Sequence, residues 1–202
     1  LNSSGDEHLN VAGKEIQNGS PRDFCRAGVG HIPEDRNAMG LFPDLSLTHN
    51  AILRKYLDAP IRKGININPI AAENYTKELI ERGDVRTPGL EVPSGNLSGG
   101  NQQKLLVQRE IDIASHLLVA VHPTRGLDIS AIEDVRKELV DHRDSGNSVL
   151  LISEDLDEIL MLADRIAVMY EGKIVGTFTS EQADREKIGL LMGGKIEGIS
   201  DE

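Results

Sequence analysis

Hydrophobic and polar positions divide the chain into three regimes. Residues 1–43 are rich in Gly, Asn, Ser and Pro, and their weak periodicity predicts short strands and loops. Residues 44–97 turn to helical spacing. One helix is predicted over residues 45–53 and a second over residues 70–82, with Ile70, Tyr75, Leu79 and Ile80 toward one face. Pro88 and Pro93 then break the pattern twice. From residue 98 the alternation is strong. Ser98-Gly99-Gly100 opens a helix that runs to Ala114, and residues 117–121 read as a fully buried strand. Ser130, with Glu133 three residues on, forms a capping-box pattern for a helix whose apolar face is Ile132, Val135, Leu139 and Val140. Gly146 lies past its end. A second buried strand follows over residues 148–153, then a helix over residues 155–164 with Leu156, Ile159 and Leu160 inward. Residues 165–170 and 174–178, around Glu171-Gly172-Lys173, read as a hairpin, and residues 180–192 as a last helix. Short apolar strands alternating with helices predict an α/β layered fold with a mostly parallel sheet.

A length of 202 residues fits one to one and a half domains and supports a core without disulfides. Cys25 is the one cysteine, so an intrachain disulfide is impossible, which suits a reducing compartment. No apolar run approaches the ~18 residues of a membrane span. The first eight residues lack the basic patch and apolar stretch of a signal peptide. Net charge is −11, unevenly spread: residues 1–109 carry 13 acidic and 13 basic side chains, residues 110–202 carry 20 and 9. A strongly acidic second half argues against nucleic acid as the main partner.

Most stand-alone enzyme motifs are absent. The dinucleotide fingerprint fails at Gly28-Val29-Gly30 because Pro33 occupies its sixth position. A hydrolase elbow fails at Ser98 because Asn96 stands where its first glycine belongs. There is no His-Glu-x-x-His zinc site, and Gly13-Lys14 is followed by Glu15, with His8 in place of the leading glycine of a phosphate loop. Cys25 reads as a small buried filler.

The informative stretch is Asn96-Leu-Ser-Gly-Gly-Asn-Gln-Gln-Lys104. A hydroxyl and two glycines at a helix start make an anion site, because outward N–H groups and the helix dipole attract negative charge and glycine lets a phosphate approach. This stretch follows Gly30-His-Ile-Pro-Glu-Asp-Arg36. After a helix and a buried strand come Pro123-Thr-Arg-Gly-Leu-Asp128, then a second buried strand ending Ser153-Glu154-Asp155.

In this order and spacing the motifs resemble the nucleotide-binding domain of ABC transporters. Residues 97–104 resemble its signature motif, residues 123–128 the passage from the Walker B end into the D-loop, and residues 153–155 the switch region. Glu34 stands where the Q-loop glutamine usually stands. The Asn-Gln-Gln-Lys, Pro-Glu-Asp-Arg and Pro-Thr-Arg-Gly-Leu-Asp endings resemble the second ATPase half of tandem ATP-binding subunits of simple-sugar and nucleoside importers. The resemblance implies an N-terminally truncated ABC-type fold whose chain begins after the phosphate loop, with residues 1–20 forming a strand-turn-strand. It implies partial core strands and a Q-loop-like segment over residues 1–43, a helical subdomain over 44–97, and the α/β core over 98–202.

The departures from the family pattern lie in one pocket. Active members carry Asp then Glu before Pro-Thr; here Val121 and His122 stand there. Valine offers no oxygen to a hard cation. The switch histidine position is Glu154, which would repel a phosphate. The resemblance therefore implies no catalytic residue and no metal ligand in this half. It implies that Ser98, Gly99, Gly100 and Asn101 hold the γ-phosphate of ATP bound opposite, with Mg²⁺ mainly on the partner half, and that Asp128 organises the dimer seam. It further implies a permease partner and a peripheral place on the cytoplasmic face of the membrane. Two alternatives stay open: a non-transport ABC protein acting on ribosome or DNA, and a degenerate structural or regulatory partner with no nucleotide role.

Overall fold

The computed structural model describes residues 10–16 and 20–195. They form two compact units that divide after Ile152.

The first unit begins with β1 (Asn10–Val11) and β2 (Lys14–Glu15), an antiparallel pair. The rest of the expected strand-turn-strand, residues 1–9 and 17–19, lies outside the described residues. Next come α1 (Pro21–Arg26), β3 (Val29–Ile32) and a single π turn, Arg36–Gly40. Asp35 caps that turn, its carboxylate accepting from the Asn37 and Ala38 amides. Then follow α2 (Leu47–Ile52), the hairpin of β4 (Arg62–Lys63) and β5 (Asn66–Ile67), α3 (Pro69–Arg82), α4 (Gly99–Ile111), β6 (Leu117–Val121), α5 (Ile129–Asp144) and β7 (Ser148–Ile152).

β3, β6 and β7 pair in that order as a parallel sheet, with Ile32 beside Ala120 and Val121 beside Ile152. α4 packs on β3 and α5 on β7. Ile32, Leu118 and Ala120 are fully enclosed on that side. The approach of α4 is close: a Cβ on Gly30 would stand 2.4 Å from the Glu110 carbonyl oxygen, so only glycine fits at this point of β3. The opposite face meets β1 and α1 through Val11, Phe24, Ala27, Val29, Leu117 and Val119. A helical layer packs Leu47, Ala51, Leu79, Val85, Leu97 and Leu105 together.

A buried ionic junction ties these layers. Arg109 and Glu110 pair at 2.9 Å with almost no exposure. Arg109 also donates to the carbonyls of Gly40 (2.8 Å) and Asn50 (3.1 Å). Glu110 accepts from the His31 amide at 3.0 Å and pairs with Arg54 at 3.1 Å. Strand β3, the end of the π turn, α2 and α4 thus converge on one charge pair. Arg54 reaches on to the Cys25 sulfur at 2.7 Å; that cysteine is half-buried and not an enclosed filler.

Three details differ from the sequence-based expectation. The cap of α5 is Asp128, whose carboxylate accepts from the Ala131 amide at 2.9 Å; Ser130 lies one turn position inside the helix and is exposed. Ile70, in the first turn of α3, is exposed, and the enclosed face is Ala72, Thr76 and Leu79. β7, an edge strand, is not buried on both sides: Leu150 and Ile152 are 51% and 45% exposed, because nothing else described in the first unit covers that face.

The second unit holds α6 (Leu156–Leu162), the antiparallel hairpin of β8 (Arg165–Tyr170) and β9 (Lys173–Thr179), a short 3-10 turn (Ser180–Gln182), and α7 (Arg185–Met192). Glu171 and Gly172 both have positive φ, the conformation a tight two-residue hairpin needs. Ile166, Val168, Ile188 and Leu191 form its core.

Candidate functional site

Ser98 is the N-cap of α4, in extended backbone, and is exposed. Its Oγ accepts from the Asn101 side-chain amide at 2.9 Å and from the Asn101 backbone N–H at 3.4 Å. The Asn101 side-chain oxygen, Oδ1, in turn accepts from the Arg86 backbone amide at 2.8 Å. Asn101 is therefore a clamp: it holds the Ser98 oxygen as an acceptor, which leaves the hydroxyl proton to donate outward. The Gly99 and Gly100 amides belong to the first turn, where no intrahelical acceptor exists. Gly100 lies against Ala131 of α5.

Arg36 joins this terminus from the π turn. Its Nε donates to the Gln102 side chain at 3.3 Å and its Nη1 to the Arg125 carbonyl at 3.4 Å. Arg125 forms an ion pair with Glu34. Gln103 donates to the Pro123 carbonyl at 2.6 Å. Residues from β3's end, from α4 and from the segment after β6 are thereby brought together around the start of α4. The result is a helix N-terminus with a free hydroxyl donor and a guanidinium beside it, which is chemistry suited to an anion.

Val121 ends β6 and His122 follows it, its amide donating to the Ile152 carbonyl at 2.8 Å and its φ at 46°. Left-handed backbone is uncommon for a non-glycine residue, and here it lets the chain leave the sheet sharply toward Pro123. Val121 offers no donor to a cation, and one imidazole does not make a site for a hard, oxygen-seeking metal, so these positions do not fit Mg²⁺. Glu34 is engaged by Arg125. Asp128 is engaged as the cap of α5. Glu154 lies exposed in the second unit, two residues past the end of β7.

Arg36 and Arg125 are the residues that the sequence reading left without a role. Both stand inside motifs that it quoted, and an arginine in each of two motifs was the available signal.

No family model matches the chain. Curated proteins do. The chain is 45% identical over 188 residues to the glucose import ATP-binding protein TsgD13 of Haloferax volcanii, covering 92% of this chain and 34% of that protein. It is 43% identical over 189 residues to the guanosine import ATP-binding protein NupO of Bacillus subtilis, covering 94% and 37%. It is 37% identical over 188 residues to the ribose import ATP-binding protein RbsA of Lactococcus lactis, covering 93% and 38%. The chain thus spans little more than a third of these relatives' length. Among solved structures, the ADP conformation of the ATP-binding cassette MJ1267 matches with a TM-score of 0.69 and 18% identity over 96% of this chain and 78% of that one. The dimeric, ADP- and Pi-bound cassette MJ0796 matches with a TM-score of 0.66 and 16% identity, over 84% and 72%. By sequence the chain is a relative of the sugar and nucleoside import ATP-binding proteins over little more than a third of their length, and its fold is that of the ATP-binding cassettes.

Proposed function

We propose that the chain acts as the second, degenerate ATP-binding half of an importer for simple sugars or nucleosides. In this reading it offers the start of α4 to ATP held by the phosphate loop of a partner half. Ser98 Oγ and the Gly99 and Gly100 amides donate to the γ-phosphate, and Asn101 keeps the serine aimed. Asp128, at the start of α5, shapes the seam between halves. The observation that carries the reading is the build of that helix start: an exposed serine whose oxygen is clamped from inside, flanked by two glycines and by Arg36.

The chain's own pocket is silent in this reading. Val121 and His122 do not fit Mg²⁺, and Glu34 is turned onto Arg125. The purified chain should show no Mg²⁺-dependent phosphate release, because phosphoryl transfer depends on metal and phosphate positioning. The helical part over residues 44–97 docks on a membrane permease, which places the subunit at the cytoplasmic face of the membrane.

The test is steady-state ATP turnover of the intact subunit reconstituted with its permease. Ser98→Arg should abolish turnover and transport together by blocking closure. Ser98→Ala should lower turnover, at most by the 10²–10³ that a lost donor to a transition-state oxygen costs. His122→Ala should change little. A dead His122 variant beside a normal Ser98 variant reverses the assignment of working and silent sites.

A further inference from the structure

The β4–β5 hairpin carries apolar side chains where folding has no use for them. Its root is anchored: Ile61 is 4% exposed and packs with Ile52, Ala72 and Tyr75. The Arg62 amide donates to the Asp58 carbonyl and the Asn68 amide to the Ile61 carbonyl, both at 2.8 Å. Past that root, Ile65 is 97% exposed, Ile67 44% and Ile70 71%. A single exposed aliphatic is ordinary, but three isoleucines within six positions on one projecting hairpin and the helix turn after it mark a contact surface.

The charge around them says what kind of surface they meet. Residues 59–72 contain Arg62 and Lys63 and no acidic side chain, in a chain of net charge −11. Arg54 and Lys55, earlier in the same region, are engaged by Glu110 and Asp112. Arg62 and Lys63 are exposed. Arg62 stands opposite Ile67 across the hairpin, so a basic and an apolar side chain share one face. Aliphatic side chains at a tip with basic residues just behind it are the pattern of a segment that enters the boundary between headgroups and acyl chains.

We infer that the β4–β5 hairpin is a contact for an anionic lipid surface, with Ile65 and Ile67 entering the interface and Arg62 and Lys63 meeting lipid phosphates. An acidic chain is repelled by such a surface except where it turns basic, so this contact also fixes which side faces the lipid. Two aliphatics and two charges give a weak hold, so the hairpin reinforces an attachment made elsewhere on the assembly. The inference is independent of any nucleotide role.

Flotation of the intact subunit with phosphatidylglycerol/phosphatidylcholine vesicles, and with phosphatidylcholine alone, tests it. Binding to the anionic vesicles is expected, weakened by salt. Arg62→Gln and Lys63→Gln should each lower the partition coefficient about fivefold. Ile65→Asp should lower it about tenfold or more, and Ile65→Leu should keep it. Thermal melting of each variant should match the parent, since none removes a buried side chain. No binding, equal binding to both vesicle types, or partition unmoved by these variants overturns the inference. So does loss of permease co-purification with vesicle binding intact, which would make the hairpin a protein contact.

Discussion

The Arg36 guanidinium lies 2.7 Å, at Nη2, from the point where a Cβ on Gly99 would stand. A methyl group at the start of α4 would therefore have to displace the tip of a side chain from within the chain, whatever ligand the glycine also admits. Arg36 in turn is held by Gln102 and by the Arg125 carbonyl, so the π turn and the segment after β6 both depend on that missing side chain.

Gly99→Ala should expose this dependence. With Arg36 present, the new methyl must displace the guanidinium, and stability should fall by about 1 kcal/mol. In an Arg36→Ala background the same change should be neutral or stabilising by up to ~1 kcal/mol, because alanine is the better helix former. Urea denaturation of the four variants gives the coupling energy directly. Additive effects would mean the contact carries no energy.

Much of the fold was legible because its signals were local. The five apolar residues of β6 and the Glu171-Gly172 turn between β8 and β9 each state their conformation within a few positions. The six-residue α1 and the π turn at Arg36–Gly40 are too short to show a period. The sequence pattern put the cap of α5 at Ser130, two residues past the true cap, and the Asp128–Ala131 contact is what corrects it. An apolar run such as β7 reports that burial is possible, not that a covering element is there. At the site, the motifs were readable, but the ion pair of Glu34 with Arg125 joins residues 91 positions apart, and Arg36 meets Gln102 across 66. Such contacts follow from the parallel sheet order and leave no mark in the local sequence.

The Arg109–Glu110 junction should be the most sensitive point of the first unit. Glu110→Ala leaves the buried Arg109 without a counter-charge and the His31 amide without its acceptor. A loss of 3–5 kcal/mol is the usual cost of such a change, on the order of a marginal domain's whole stability. Glu110→Gln keeps the shape and the acceptor and should cost less. Arg109→Met combined with Glu110→Gln should cost less than the two single losses together, yet not return to the parent, because the Gly40 and Asn50 carbonyls lose their donor. Denaturation midpoints of the variants decide this; a Glu110→Ala midpoint equal to the parent's would remove the junction from the account.

Stability should also fall on mild acidification. His142, on α5, is 6% exposed, and its Nε2 is buried without a hydrogen-bond partner among the described residues. Burial pushes its pKa below the ordinary 6.5. The folded state then resists a proton that the unfolded chain accepts. The contribution is complete above pH 6.5 and is lost as pH falls below it, at up to about 1.4 kcal/mol per pH unit. His142→Leu should flatten its share of the slope. Melting temperatures from pH 8 to pH 5 for parent and variant give the comparison, and equal slopes would refute the assignment.

The open side of β7 should govern how the chain behaves in solution. Leu150 and Ile152 stand beside Val119 and Val121 in the parallel register, so their exposed side chains continue one face of the sheet. β7 is also an edge strand, with backbone groups ready to pair with another chain. An apolar patch next to an open edge favours association, so the purified chain should bind a hydrophobic dye, aggregate as its concentration rises, and melt below about 65 °C. Leu150→Thr with Ile152→Thr should lower both dye fluorescence and aggregation rate. Threonine keeps the β-branched shape that a strand prefers, so the cost in stability should stay within about 1 kcal/mol. In a longer polypeptide that covers this face the sign reverses: the same pair of substitutions then removes buried apolar area and costs roughly 1.5–3 kcal/mol per side chain. Dye fluorescence and light scattering of the chain, set beside denaturation of the longer protein, read both signs. Unchanged dye binding in the double variant would show that the exposed apolar surface lies elsewhere.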